Sequence, residues 1–258
     1  MKMLNRTWRQ VAVLAMAAAI GSAAMPARAD GITSEEAQQI LDELKAIRKA
    51  LEQRPAAPAP QAPSRPVDDK VSMPFTPGGF SVGKDDAPLV LVEYTDYQCP
   101  FCQRFHNDTF AQIKANYIDT GKIRFVSRDF PLSFHENAMR SAAAARCAAE
   151  QGKYWELRHA MIVNASQLQP DKVMGYAQNA SIDVTKLKAC IDSDKYKAAI
   201  DKDIAEGTAA GVTGTPSFVL GRVQGGKLEG VRLVGAMPYA TFDAKIQELL
   251  KQAPSAKN

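Results

Sequence analysis

Two of the four cysteines in this sequence have the spacing of a redox-active pair. Cys99 and Cys102 enclose Pro100 and Phe101, and they follow a short apolar run at 89–94 that predicts a buried strand. A cysteine at the start of the next helix lies near free backbone N–H groups and the positive end of the helix dipole. Both stabilise the thiolate, which is the form that attacks disulfides. Cys102, one turn later, is placed to resolve the mixed disulfide, so the pair predicts thiol–disulfide exchange.

Two other uses of this pair have less support. A zinc site needs two more ligands at matched spacing, and the sequence has no second C-x-x-C and no H-x-x-x-H. A purely structural disulfide across so short a loop would add little stability. We interpret His106, His135 and His159 as surface or packing residues. No metal, nucleotide or flavin motif is present, so we expect no cofactor and no metal.

The segments around the pair predict an α/β domain. The order is strand, helix, strand, a long Ala-rich helical block at about 136–206, two further strands and a closing helix. Apart from the run before the motif, the predicted strands are 122–127, 215–220 and 231–234, and the predicted helices are 104–117 and 241–252.

The N-terminus predicts export. Residues 1–29 combine basic residues, an apolar run at 11–19 and an Ala-Arg-Ala site at 27–29, as in a cleaved signal peptide. The alternative is an uncleaved membrane anchor, but the run is shorter than the roughly 20 residues that a spanning helix needs. We therefore expect a periplasmic protein. All charges of the removed piece are basic, so the mature chain is near neutral and predicts no nucleic-acid partner.

An oxidising compartment favours pairing of an even number of cysteines. Cys147 and Cys190 lie in predicted helices of the Ala-rich block, and we expect a structural disulfide between them. Two buried free thiols, or a second redox pair, are the alternatives.

A separate segment precedes the domain. Residues 30–54 predict an amphipathic helix with a heptad pattern, and residues 55–69 form a proline-rich, extended linker. A helix separated from its domain in this way has little of the chain's own core to pack on. We therefore expect a homo-oligomer through 34–54, with a lone helix packed on its own domain as the alternative. The apolar positions are Ala37, Ile40, Leu44, Ile47 and Leu51, flanked by Glu43 and Arg48.

The motif and its surroundings resemble the DsbA-like branch of the thioredoxin superfamily. The resemblance rests on the run 93–102 together with Gly214, Thr215 and Pro216, and it covers about 80–250, nearly all of the domain at 70–254. It implies a thioredoxin fold with a helical domain inserted at about 136–206. It also implies that Pro216 is cis against the motif and that Thr215 contacts the substrate backbone. By the same resemblance Glu93 is a buried acid that moves a proton at Cys102; the alternative is an exposed carboxylate on the strand.

Two features depart from the strongly oxidising members of that branch. Phe101 stands where those proteins have a histidine that stabilises the thiolate, which predicts a milder oxidant. Thr215 and the N-terminal helix are more similar to the oligomeric DsbC, DsbG and ScsC-like relatives. Oxidase and isomerase or reductase activities both stay open. The implied partners are cysteine-containing secreted proteins and a membrane redox partner. A non-catalytic holdase or scaffold, or a copper-binding thiol protein, is the alternative.

Overall fold

The structure, a computed structural model, describes residues 33–52, 69–76 and 79–252. The chain divides into two compact units, Met1–Ala62 and Pro63–Asn258. The predicted signal peptide at 1–29, residues 30–32 and most of the predicted linker lie outside the described residues.

Helix α1 (Ser34–Glu52) is the described part of the first unit. Its N-terminus is a capping box. The Thr33 hydroxyl accepts from the Glu36 N–H at 3.2 Å, while the Glu36 carboxylate accepts from the Thr33 N–H at 2.9 Å. These bonds satisfy two backbone donors at the end of the helix and explain why it begins here.

The second unit is built on one mixed sheet in the order β1-β6-β5-β3-β4-β2. Strand β3 is parallel to β4 and antiparallel to β5. It is buried at all seven positions, because it lies inside the sheet and both of its faces are covered, which is why its sequence is a continuous apolar run. The strands are β1 (Asp69–Pro74), β2 (Phe80–Val82), β3 (Leu89–Thr95), β4 (Ile123–Asp129), β5 (Ser217–Gln224) and β6 (Lys227–Val234).

The sequence-based prediction missed two of these strands. Within the described residues, β1 pairs only with β6 and β2 only with β4, so both are edge strands. β2 has three residues, and β1 reads Asp-Lys-Val-Ser-Met-Pro, so neither carries a clear apolar pattern. The other strands were predicted within a few residues of their observed bounds.

The side chains of β3 point alternately to two cores. Leu89 and Leu91 face a core that also contains Phe105 and Phe242. That core is covered by a helical segment at 100–118, which we call the motif helix, and by α9 (Tyr239–Lys251). The motif helix comprises α2 (Pro100–Phe105), a π-helical turn (His106–Phe110), α3 (Ala111–Ile113) and a second π-helical turn (Lys114–Ile118). The intervening residues of β3 face a second core.

The predicted Ala-rich block is a helical insertion between β4 and β5. It has its own core, in which Leu157, Met161, Leu187 and Ile200 are fully or almost fully buried. The predicted α/β fold with a helical insertion is therefore confirmed. The insertion contains α4 (Ala138–Ala149), α5 (Tyr154–Val163), α6 (Pro170–Asn179), α7 (Val184–Asp192) and α8 (Lys197–Ala209).

Candidate active site

Cys99 lies at the junction between β3 and the motif helix. Its backbone is extended, with φ −74° and ψ 120°, and Pro100 occupies the first helical turn. Cys99 is therefore the N-cap residue, and no side chain caps the helix there. The sulfur therefore lies at the helix N-terminus, as the position of the motif predicted, and free N–H groups favour an anion there. The helical pattern of the sequence indicated this helix only from residue 104.

The surroundings of Cys99 stabilise its thiolate. The pKa of Cys99 is lowered to about 6, chiefly by a hydrogen bond from the Cys102 thiol, and further by the Thr215 side chain and the N–H groups of Phe101 and Cys102. At neutral pH the thiolate then exceeds the thiol about tenfold. Cys99 is only 3% exposed, whereas the ring of Phe101 is 53% exposed.

Cys102 has the opposite chemistry. Its side chain is fully buried, and burial raises its pKa well above the ordinary value. Its hydrogen bond to Cys99 and the nearby Glu93 carboxylate raise the pKa further, while the Thr95 hydroxyl lowers it. Both motif cysteines are free in this structure. The pair therefore contains a thiolate at the helix end and a buried thiol behind it.

Thr215 and Pro216 lie beside the motif because of the strand order. β5 runs antiparallel to β3, and Tyr94 pairs with Ser217, so the start of β5 meets the end of β3. The Thr215–Pro216 peptide bond is cis. The sulfur of Cys99 lies 3.3 Å from the carbonyl oxygen of Thr215. The Thr215 hydroxyl is buried and has no hydrogen-bond partner among the described residues.

Glu93 is completely buried, so the alternative of an exposed carboxylate is wrong. Its Oε2 accepts from Nη2 of Arg158 at 2.6 Å, and its two oxygens lie 3.0 and 3.1 Å from Nε2 of His106. Burial alone would raise the pKa of Glu93, but His106 and Arg158 together lower it below its ordinary value. Glu93 is thus an ionised carboxylate beneath the redox pair.

His106 and Arg158 were not predicted as site residues. His106 is on the motif helix, four residues after Cys102, and this spacing places it on the same helical face as Cys102. The spacing is the sequence signal that could have identified it. Arg158 comes from α5 of the insertion, and no sequence pattern indicates which strand residue it meets. Of the other histidines, His159 is exposed and His135 is half-buried.

His135 helps to hold the turn before the motif. The buried Asp96 carboxylate accepts from the N–H of Gln98 at 2.7 Å and from the N–H of Leu132 at 2.8 Å, and it pairs with Nδ1 of His135 at 2.8 Å. These contacts fix the loop after β4 against the motif turn. The same loop carries Phe134, whose ring is 75% exposed.

Cys147 of α4 and Cys190 of α7 form a disulfide within the insertion. The expected disulfide is therefore present, and the alternative of two buried free thiols is wrong. No helix in the described part of the chain is long and apolar enough to cross a membrane.

Comparisons with known proteins agree with this geometry. A family model described as Thioredoxin matches residues 75–230, which include the motif and the cis-proline. The fold is similar to alpha-DsbA1 of Wolbachia pipientis (24% identity, TM-score 0.60, 67% of this chain and 92% of that one). It is also similar to oxidised BdbD of Bacillus subtilis (23% identity, TM-score 0.60, 71% of this chain and all of that one).

A curated relative is similar to part of this chain. The Na(+)/H(+) antiporter NhaA 3 of Salinispora tropica is 28% identical over 163 residues, which are 63% of this chain and 24% of the antiporter. The chain thus spans about a quarter of the length of that relative. With the family model covering most of the second unit, the chain belongs to the thioredoxin family, and its fold is that of the DsbA-like proteins.

Proposed function

We propose that this protein catalyses thiol–disulfide exchange in secreted proteins through Cys99 and Cys102. The observation that carries the proposal is the contrast between the two sulfurs. Cys99 has a pKa of about 6, whereas burial raises the pKa of Cys102 well above its ordinary value. A two-cysteine exchange reaction requires one thiolate that attacks the substrate and one thiol that later resolves the mixed disulfide.

The exchange proceeds through a mixed disulfide on Cys99. In the reducing direction the Cys99 thiolate attacks a substrate disulfide, and one substrate sulfur leaves as a thiolate and takes up a proton. The Cys102 sulfur then loses its proton and attacks Cys99, which releases the second substrate thiol and closes the Cys99–Cys102 disulfide. The oxidising direction is the reverse. Two electrons move in each case, and no further reactant is needed.

An extended substrate segment would approach Cys99 beside the start of β5. The cis Thr215–Pro216 bond places the Thr215 carbonyl 3.3 Å from the attacking sulfur. We propose that Thr215 and Pro216 hold the substrate backbone here. The exposed rings of Phe101 and Phe134 lie on the motif and on the loop fixed to it, so they offer apolar contact to the substrate.

We propose that Glu93 accepts the Cys102 proton in the resolving step. It is buried, ionised and close enough to Cys102 to raise that pKa. A carboxylate at this position provides a proton acceptor where water has no direct access.

The test is the activity of Cys99→Ala and Cys102→Ala. Insulin reduction and refolding of scrambled ribonuclease are expected to vanish in Cys99→Ala, while circular dichroism stays unchanged. Cys102→Ala is expected to accumulate mixed disulfides on Cys99. Retained exchange activity in Cys99→Ala would refute the proposal. A holdase would keep its suppression of aggregation in both variants, and a copper protein would bind stoichiometric copper when reduced.

We further propose that the protein acts in the periplasm, with a membrane redox partner that restores the pair. The signal-peptide pattern supports export, and the Cys147–Cys190 disulfide suits an oxidising compartment. Recovery of protein that begins at Asp30 from a periplasmic extract is the expected result. Full-length protein retained in the membrane would contradict it.

Self-association through α1 is a separate part of the proposal. Ile40, Leu44 and Ile47 are 47%, 56% and 56% exposed, and they repeat with heptad spacing along one face of the helix. A second copy of the same face would bury them as a coiled coil. Leu44→Lys is expected to reduce the molar mass in light scattering to that of a monomer, whereas Gln39→Lys leaves it unchanged. A monomeric wild type would refute self-association without affecting the redox chemistry.

A further inference from the structure

Three buried side chains of different elements meet beneath the redox pair. Glu93 comes from the centre of the sheet, His106 from the motif helix and Arg158 from the helical insertion. The side chains of Glu93, Arg158 and His106 are 0%, 3% and 4% exposed, respectively. We propose that Arg158 and His106 are positioning residues that hold the Glu93 carboxylate beneath Cys102 and keep it available as the proton acceptor in the resolving step.

The contacts form a closed ring around Glu93. Nη2 of Arg158 donates to Oε2 of Glu93 at 2.6 Å and lies 3.3 Å from Nε2 of His106. Nε2 of His106 lies 3.0 and 3.1 Å from the two Glu93 oxygens. Since an ionised carboxylate only accepts, Nε2 of His106 carries the proton and donates it to Glu93. Both carboxylate oxygens are therefore hydrogen-bonded, and the side chain has a single orientation.

The arginine is itself held in place by the insertion and the sheet. Its Nε donates to the Ser127 hydroxyl at 3.0 Å, which also accepts from the Tyr154 hydroxyl at 3.1 Å. Its guanidinium lies 5.5 Å from the ring centroid of Trp155 and 5.8 Å from that of Phe125. A buried arginine with these contacts has one position, so it fixes its charge next to Glu93.

The charges near this site are few. Cys102 is influenced by Cys99, by Glu93 and by the Thr95 hydroxyl. Glu93 faces His106 and Arg158, and His106 is further influenced by exposed His159. Arg158 also faces Tyr97 and Tyr154, and its charge reaches Asp129.

The protonation states follow from this arrangement. Burial lowers the pKa of His106, and Arg158 stays charged because its pKa is raised by Glu93. A neutral imidazole, a guanidinium and a carboxylate give no net charge, so the cluster avoids the large cost of an unpaired buried ion. Without Arg158, only His106 would oppose the effect of burial, so the pKa of Glu93 should rise toward that of a buried, protonated carboxyl. A protonated Glu93 cannot accept the Cys102 proton.

The inference rests on the proposed function and concerns only its resolving step. In that step the Cys102 proton passes to Glu93 as the Cys102 sulfur bonds to Cys99, and the Cys99–substrate sulfur bond breaks with release of the substrate thiolate. The proton then leaves Glu93 for solvent. Arg158 therefore links the helical insertion to the speed of the chemistry, beyond any role in packing.

The test is the pH dependence of the resolving step in Arg158→Met. Reduced full mature protein is mixed with excess oxidised glutathione. The second, concentration-independent phase, in which Cys102 displaces glutathione from Cys99, is followed by acid trapping and mass spectrometry. Wild type is expected to show no carboxyl ionisation between about pH 5 and about pH 8. Arg158→Met is expected to lose rate on the acid side, on the order of tenfold for each unit by which the carboxyl pKa exceeds the pH.

Three controls separate positioning from general destabilisation. Glu93→Gln is expected to be slow at every pH, and adding Arg158→Met to it should introduce no new ionisation. Arg158→Lys keeps the charge and should restore the wild-type profile shape. Arg146→Met removes a different insertion arginine, which pairs with Asp129 at 2.6 Å and with Asp203 at 2.5 Å, and should leave the profile shape unchanged.

A readout independent of activity completes the test. Infrared spectra are expected to show a protonated carboxyl in Arg158→Met that is absent from wild type and from the Glu93→Gln/Arg158→Met double variant. If Arg158→Met does not fold, the milder His106→Gln is examined for the same band and the same acid-side loss. Parallel pH profiles and no new carboxyl band would overturn the inference. The proposed function fails separately, if Cys99→Ala retains exchange activity.

Discussion

Replacing Thr215 by valine tests how the cis-proline segment controls the nucleophile. Valine keeps the shape of threonine and removes only the hydroxyl. That hydroxyl is buried, has no hydrogen-bond partner among the described residues, and is near enough to Cys99 to lower the pKa of its thiol. In the thiol form of Cys99 the sulfur donates to the Thr215 carbonyl, whereas in the thiolate form the hydroxyl can donate to the sulfur. Only the second bond is lost in Thr215→Val.

The size of the effect follows from the charge on the sulfur. A hydrogen bond to an ionised group contributes about 1.5 kcal/mol, which corresponds to about one pKa unit. The Cys99 pKa should therefore rise from about 6 to about 7. At pH 7 the thiolate fraction would fall from about nine-tenths to about one-half. The reduced form loses about 1 kcal/mol of stabilisation, so the disulfide becomes less oxidising by about 20 mV.

The assay is the pH dependence of iodoacetamide alkylation at Cys99, with each modified cysteine identified by mass spectrometry. Thr95→Val is the matched control, because it is the same substitution at the hydroxyl that lowers the pKa of Cys102. It should leave the Cys99 titration in place. A Cys99 pKa in Thr215→Val within about 0.3 units of wild type would refute the assignment of the hydroxyl to the thiolate.

Three further predictions follow from the same surroundings. Phe101→His is expected to add a donor for the Cys99 thiolate and make the disulfide more oxidising by about 30 mV in equilibrium with glutathione; an unchanged potential would contradict this. Burial raises the pKa of Asp203 to about 6, so its contribution to stability is complete at low pH and is lost as the pH rises through about 6. In urea unfolding, the stability of wild type relative to Asp203→Asn should fall by up to about 3 kcal/mol as the pH rises from about 4 to about 6. A stability difference that stays constant over this pH range would refute the prediction. Replacing Cys147 and Cys190 by alanine should cost about 4 kcal/mol of unfolding free energy while the Cys99 titration stays unchanged, and an altered Cys99 pKa would show coupling between the two cysteine pairs.

The features that sequence could predict are those with a local physical cause. The buried strand before the motif is a continuous apolar run because both of its faces are covered. The start of α1 is marked by Thr33 and Glu36, which are three residues apart and form a capping box. The motif cysteines are recognisable because four residues contain the nucleophile, the resolving thiol and the helix start.

The features that sequence could not predict depend on contacts between distant segments. β1 and β2 are strands because β6 and β4 offer them free edges, and their own residues show little pattern. Arg158 reaches Glu93 across 65 positions of sequence, and nothing in α5 distinguishes this arginine from one on the surface. A lone histidine on an apolar helix is usually a packing residue, and His106 departs from that expectation only because Glu93 points at it from the sheet.

The two sulfurs are separated in function by surroundings that come from opposite ends of the domain's sequence. The Cys99 thiolate is stabilised chiefly by the Cys102 thiol, and further by Thr215, at the start of β5, and by the N–H groups of the motif helix. The pKa of Cys102 is affected by two side chains of β3: Thr95 lowers it and Glu93 raises it. Substitutions in the cis-proline segment should therefore change the attack step and the potential, whereas substitutions around Glu93 should change resolution alone. A variant at Arg158 that altered the Cys99 titration as strongly as the resolving rate would show that the two environments are one coupled network.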